Sequence, residues 1–261
     1  MPEVIRVAVG TEPMQWVPYR VLVSSILRRV SSGVRVEFYP SWTQSAGWAP
    51  LMRGLLSKRR LGGTLFSAWR WLVPQALHGD GLAVYLDADQ CCLCDLSEIL
   101  HVAAGPAIHC VRDACGWFGG TTPEPGVAQT SVMVVDLAKL RPVLDYDRLA
   151  ALVANDKLNG WCRKQYGKSA KSSYAAMMQA CWLPDSEIGR LAPQWNHFNV
   201  VDQSTRIVHW SHVRSQPYRD PSHATAGTFR EELASAVAAC HLSVQDVVDA
   251  VKQGFLHEDY Q

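Results

Sequence analysis

The stretch that most constrains this chain is residues 83–90, AVYLDADQ: an apolar run of strand type that stops on two aspartates, Asp87 and Asp89, one small residue apart. A buried strand tolerates terminal carboxylates only where something compensates their charge, so the pair predicts a bound cation.

The pattern around that run is α/β alternation. Residues 6–10 read as a short strand. Residues 16–29 carry Val17, Val21, Leu22, Ser25 and Ile26 on one helical face, and residues 34–39 complete a βαβ unit. Between the first strand and its helix lies GTEPMQ, a polar loop at a strand's carboxyl end, the edge where open α/β sheets bind ligands. Residues 64–77, TLFSAWRWLVPQAL, predict a helix entered through Thr64 or Ser67 and kinked or ended early by Pro74.

Beyond the aspartates, Asp95 and Glu98 have the spacing of a capping box ahead of a short helix. Residues 107–111 predict a strand ending at Arg112-Asp113, and 130–135, TSVMVV, another, with Asp136 placed to cap the next helix. Residues 172–181 read as a helix, and 207–210 as a brief strand bearing His209. Two further capping boxes, Thr228 with Glu231 and Ser243 with Asp246, predict a closing pair of helices. Segments 40–63 and 116–126 read as long loops. The simplest organisation is one α/β domain, residues 1–223, with a helical extension, 224–261, packed on it.

Composition narrows the partners. No apolar run reaches membrane-spanning length, and the opening MPEVIRVAVG reads as a strand rather than a leader. Lys and Arg total 25 against 24 acidic residues, a net charge of +1 that argues against nucleic acid. Local basic patches, Lys58-Arg59-Arg60 and residues 163–171, read as solvated surface, with peripheral contact to an anionic membrane as the sharper alternative. The eight cysteines form no pair of CxxC units, which fits free thiols in a reducing cytoplasm. Cys91, Cys92 and Cys94 lie near the aspartates but read as packing residues, because thiolates suit soft metals and carboxylates hard ones.

By position alone, Glu12, Asp87, Asp89, Asp113 and His209 follow strands and face one crevice. Two carboxylates and an imidazole, with coordination positions left open, suit Mn²⁺ or Mg²⁺ bridging a diphosphate. Read singly, His209 is more readily a hydrogen-bonded core histidine than a ligand, Arg70 stacks on Trp69 or Trp71 as readily as it binds phosphate, and Glu12 and Asp113 serve as turn residues.

Several stretches together resemble the glycosyltransferases of the GT-A fold, particularly family 8 and relatives. They are GTEPMQWVPYRVLVSSI, the segment GTLFSAWRWLVPQALHGDGLAVYLDADQCCLCDLSEI with its DxD motif at Asp87-Ala88-Asp89, QTSVMVVDLAKL, and IVHWSHVRSQPY. The resemblance implies a Rossmann-like mixed sheet flanked by helices. It implies Asp87, Asp89 and His209 as ligands of Mn²⁺ or Mg²⁺. Gly10, Thr11 and Glu12 would lie against the nucleotide, with Arg70 and Asp87 at its diphosphate; Arg70, Asp113 and Thr130 would face the donor sugar, and Trp195 and Asn196 the acceptor. The implied activity is metal-dependent transfer of a hexose from a nucleotide sugar, a UDP-sugar, to an acceptor, with retention if the chain follows family 8.

Two departures from the family pattern stand out. SSYAAMMQ offers Ser172, Ser173 and Gln179 where family 8 carries a DQ-type acidic motif, and Gln216 replaces a lysine. The alternative is therefore a nucleotide-binding module of impaired catalysis. A haloacid-dehalogenase-type phosphatase, with its D-x-D-x-T motif, fits less well because Asp89 is followed by Gln90-Cys91.

Overall fold

The computed structural model describes residues 3–41, 65–102, 104–112 and 127–260. Asp113, Cys115, the Lys58-Arg59-Arg60 patch and most of both long loops lie outside the described residues. The main sheet takes its strands in the order β2-β1-β3-β6-β5-β7. These are β1 (Glu3–Gly10), β2 (Val34–Pro40), β3 (Leu82–Asp87), β5 (Ile108–Arg112), β6 (Ala128–Asp136) and β7 (Ile188–Leu191). The β1 strand pairs parallel with β2 and β3, and β5 parallel with β7, while β6 runs antiparallel between β3 and β5. The carboxyl ends of β1, β3 and β5 therefore share one edge with the start of β6.

Strand alternation separates two cores. Ile5, Val7, Val9, Val84, Leu86, Val132 and Val134 face α1 (Trp16–Leu27), meeting Tyr19, Leu22 and Ile26. Ala83, Tyr85, Met133 and Val135 face the opposite side, packed with Trp71, Trp182 and residues of α3 (Leu137–Val143), α4 (Tyr146–Ala154), α5 (Leu158–Tyr166) and α6 (Ser173–Met178). Each fully buried aliphatic side chain contributes about 1.5–3 kcal/mol relative to exposure, so this period of two fixes which residues of β3 can point at the site.

A smaller sheet sits beyond the aspartates. Its strands β4 (Gln90–Cys92), β9 (Ile207–His209) and β8 (His197–Phe198) pair in that order, β4 antiparallel and β8 parallel to β9. Sequence periodicity did not anticipate β4, which at three residues is too short to show a period.

Two helix predictions are corrected. Residues Leu65–Trp71 form a 3₁₀ helix, followed by the four-residue α2 (Val73–Ala76) with Pro74 in its first turn. Proline has no N–H to donate and clashes with the preceding turn, so one continuous helix cannot run through it. The penultimate helix α7 (Ala226–Ala238) starts ahead of Thr228, and its N-cap residue Thr225 makes no side-chain cap, because its hydroxyl accepts from Trp210 Nε1 at 2.7 Å. The final helix α8 (Val244–Lys252) does open on the Ser243–Asp246 capping box. Both helices pack on α1: Val17 and Val21 meet Phe229, Leu233 and Val247, and the buried Glu232 accepts from Arg28 and Arg29.

Candidate metal and donor site

Asp87 closes β3 on the sheet edge, with Gly10 as its register partner on β1. The next residue continues that tie, Ala88 N donating to the Gly10 carbonyl at 2.9 Å. Tyr85, two residues earlier and so on the same face, donates its hydroxyl to Asp87 Oδ1 at 2.6 Å. Arg70, from the 3₁₀ helix, places Nη2 at 3.1 Å from both Asp87 oxygens, and its Nη1 donates to Thr130 Oγ1 at 2.8 Å. Thr130 in turn donates to the Met178 carbonyl at the end of α6. The guanidinium carbon lies 5.2 Å from the Tyr85 ring centroid. Burial nevertheless raises the Asp87 carboxyl above its ordinary range: desolvation leads, Arg70 opposes it, and the nearby Asp89 charge adds to it. A divalent cation would act in the opposite direction.

Asp89 and His209 meet because β4 follows the aspartates at once and pairs Gln90 with His209. The carbonyl of Asp89 accepts from Trp210 N at 3.0 Å, which locks the two segments together. The His209 ring is set from behind. Its Nδ1 lies 3.2 Å from Asn196 Oδ1 and 3.1 Å from Ser131 Oγ, and Ser131 Oγ accepts from Asn196 Nδ2 at 3.0 Å. With the amide so oriented, Asn196 Oδ1 accepts from Nδ1–H, and Nε2 points forward.

His209 Nε2 faces Asp89 Oδ1 at 3.4 Å, a buried oxygen with no hydrogen-bond partner. A buried carboxylate oxygen of this kind calls for a compensating charge, which a cation between the two atoms would supply. Ligand atoms of Asp87, Asp89 and His209 all lie within 4.8 Å of one another. Oxygen donors plus one imidazole form a set that could hold a divalent metal ion.

The remaining expected site residues are placed as follows. Gly10 and Thr11 stand at the same edge; Thr11 N donates to Ser41 Oγ at 3.0 Å, and Ser41 Oγ returns a bond to the Thr11 carbonyl at 2.6 Å. Glu12 is half-buried at the head of the loop, its carbonyl accepting from Gln15 N at 2.8 Å. Thr130 spends its hydroxyl on Arg70 and Met178. Trp195 is buried among Val132, Leu191 and Ile207, with the Arg206 guanidinium 4.9 Å from its ring centroid. Asn196 sits behind His209.

Sequence reasoning missed the supporting layer of Tyr85, Ser131 and Gln216. Tyr85 was findable from strand period alone. Gln216 stood out only as a departure from the family's lysine, with nothing in the sequence to tie it to Asp89. The described cysteines are free thiols; burial pushes Cys91 up to about 12, in keeping with a packing residue.

No protein-family model and no curated protein sequence matches this chain. Solved structures do. WbbM, a bifunctional glycosyltransferase, superposes with a TM-score of 0.61 at 13% identity over 97% of this chain and 52% of that one, so this chain spans about half its length. The galactosyltransferase LgtC, solved with donor and acceptor sugar analogues, gives 0.61 at 12% identity over 88% and 96% of the two chains. Mouse xyloside xylosyltransferase 1 gives 0.54 at 12% identity over 79% and 97%. Likeness at this identity carries the fold, and that fold is the GT-A fold of glycosyltransferases.

Proposed function

We propose that this protein is a metal-dependent glycosyltransferase that moves a hexose from a UDP-sugar to an acceptor, with retention of configuration. The observation that carries the reading is the buried Asp87, Asp89 and His209 cluster at the carboxyl edge of the sheet, with ligand atoms within 4.8 Å of one another and His209 Nε2 3.4 Å from Asp89 Oδ1. A bound Mn²⁺ or Mg²⁺ would supply Lewis acidity toward the departing diphosphate.

This chain's residues supply placement. Arg70, held by Asp87 and Thr130, is pre-set at the edge where the diphosphate would lie, and Gly10, Thr11 and Glu12 lead into the loop assigned to the nucleotide. By the family resemblance, Asp113 would act with Arg70 and Thr130 on the donor sugar, and Trp195 and Asn196 on the acceptor. The acceptor is a saccharide, a protein or a small molecule. The free thiols support a cytoplasmic setting, and among the described residues no helix is long and apolar enough to cross a membrane.

A second reading is favoured by one feature: the 172–179 turn, which reaches Thr130 through the Met178 carbonyl, contains no carboxylate. On that reading the chain binds nucleotide sugar with impaired turnover. Donor hydrolysis across a panel of nucleotide sugars, with and without Mn²⁺, separates the two. Metal-dependent release of UDP is expected; metal-dependent binding with no turnover of any donor would favour the binding module, and no binding of any nucleotide at saturating metal would remove both.

A further inference from the structure

Gln216 is buried and makes a closed set of hydrogen bonds. Its Nε2 donates to Asp89 Oδ2 at 2.8 Å and to the Trp210 carbonyl at 2.9 Å, while its Oε1 accepts from the Tyr218 hydroxyl at 2.5 Å. Both amide hydrogens are used, and because the Asp89 carboxylate and the Trp210 carbonyl can only accept, they fix which end of the amide faces Asp89. Tyr218 is itself fully buried, its ring centroid 5.6 Å from that of Phe229 on α7. A line of contacts thus runs from the C-terminal helix to the second aspartate of the DxD motif.

Resting on the metal-dependent reading above, we propose that Gln216 is a positioning residue that sets the cation affinity of the site by holding Asp89 without neutralising it. One carboxylate oxygen is engaged by the amide and the other, Oδ1, is left open toward His209. The contrast with Asp87 gives the physical reason. Asp87 is held by a guanidinium, so its charge is already balanced; Asp89 is held by a neutral amide, so among the described site residues it supplies the uncompensated negative charge that a cation needs.

Mn²⁺ binding to the full chain, read by calorimetry and by the loss of the free-ion EPR signal, tests this, with thermal melts confirming a folded state. Gln216→Leu is expected to weaken Mn²⁺ binding by roughly 10–100-fold, the usual effect of removing a partner that orients a metal ligand. Tyr218→Phe is expected to weaken it less than Gln216→Leu. Folded Gln216→Leu and Tyr218→Phe proteins with wild-type affinity would overturn the inference. If Gln216→Leu does not fold, wild-type affinity in a folded Gln216→Met protein, which keeps the length but not the amide, would do the same. Adding UDP separates the two readings: Mn²⁺ binding that follows the variants without any response to UDP removes the transferase and leaves the role of Gln216 standing. UDP binding that depends on Mn²⁺ but ignores position 216 does the reverse.

Discussion

Asp87 and Asp246 both stand at the boundary of a regular element, and their surroundings treat them in opposite ways. Asp246 lies half-buried in the first turn of α8, accepts from Ser243 N at 2.8 Å, and donates its own N–H to Ser243 Oγ at 3.0 Å. The bond from the Ser243 amide holds its carboxyl below the ordinary range. Asp87 is buried at the end of β3, and desolvation raises its carboxyl despite the Arg70 ion pair. An acid whose charge is welcomed by its own helix start stabilises the fold. An acid buried at a cost, beside a second acid and an imidazole, fits a group that binds something.

The largest effect expected from this contrast is in Arg70→Met. Removing the guanidinium leaves Asp87 buried and unpaired, and urea unfolding without metal should show a loss of about 3–5 kcal/mol, partly recovered with Mn²⁺. A loss near zero would break the contrast, since it would mean that the Asp87 charge is not costly to bury. Tyr85→Phe removes only the hydroxyl bond to Asp87 and should cost about 1.5–3 kcal/mol in the same measurement.

At the other end of the molecule, Ser243→Ala should cost about 1 kcal/mol and leave Mn²⁺ affinity unchanged. The smallest effect is in pH. The folded-state pKa of Asp246 lies below its ordinary 3.8, so its contribution is complete above that value and is lost as pH falls through the folded value. The stability difference between wild type and Asp246→Asn should therefore shrink on acidification, and a constant difference would place the cap's effect elsewhere.

Much of the frame could be read from residues alone because it rests on local signals. The alternation in 83–87, the Asp136 cap and the Ser243–Asp246 box each involve neighbours in sequence, and each stands in the structure where expected. What was illegible depends on distant partners. Thr228 resembled a helix start, but the helix begins at Ala226, and the hydroxyl of its N-cap residue Thr225 accepts from the distant Trp210. The approach of His209 to Asp89 depends on β4, a strand that periodicity could not reveal, and Gln216 reaches Asp89 from the far side of the chain. The ligand residue types were visible in the sequence; the layer that orients them was not.

The central claim is that Asp87, Asp89 and His209 join a nucleoside diphosphate to the protein through a divalent cation. Thermal unfolding with UDP, with and without Mn²⁺, in wild type, Asp89→Ala and His209→Ala tests it most directly. At a hundredfold excess over Kd, UDP with Mn²⁺ should raise the wild-type Tm by about 5–10 °C, and UDP alone should not. Both variants should lose the rise. A rise of equal size without Mn²⁺, or one that survives Asp89→Ala, would contradict the account.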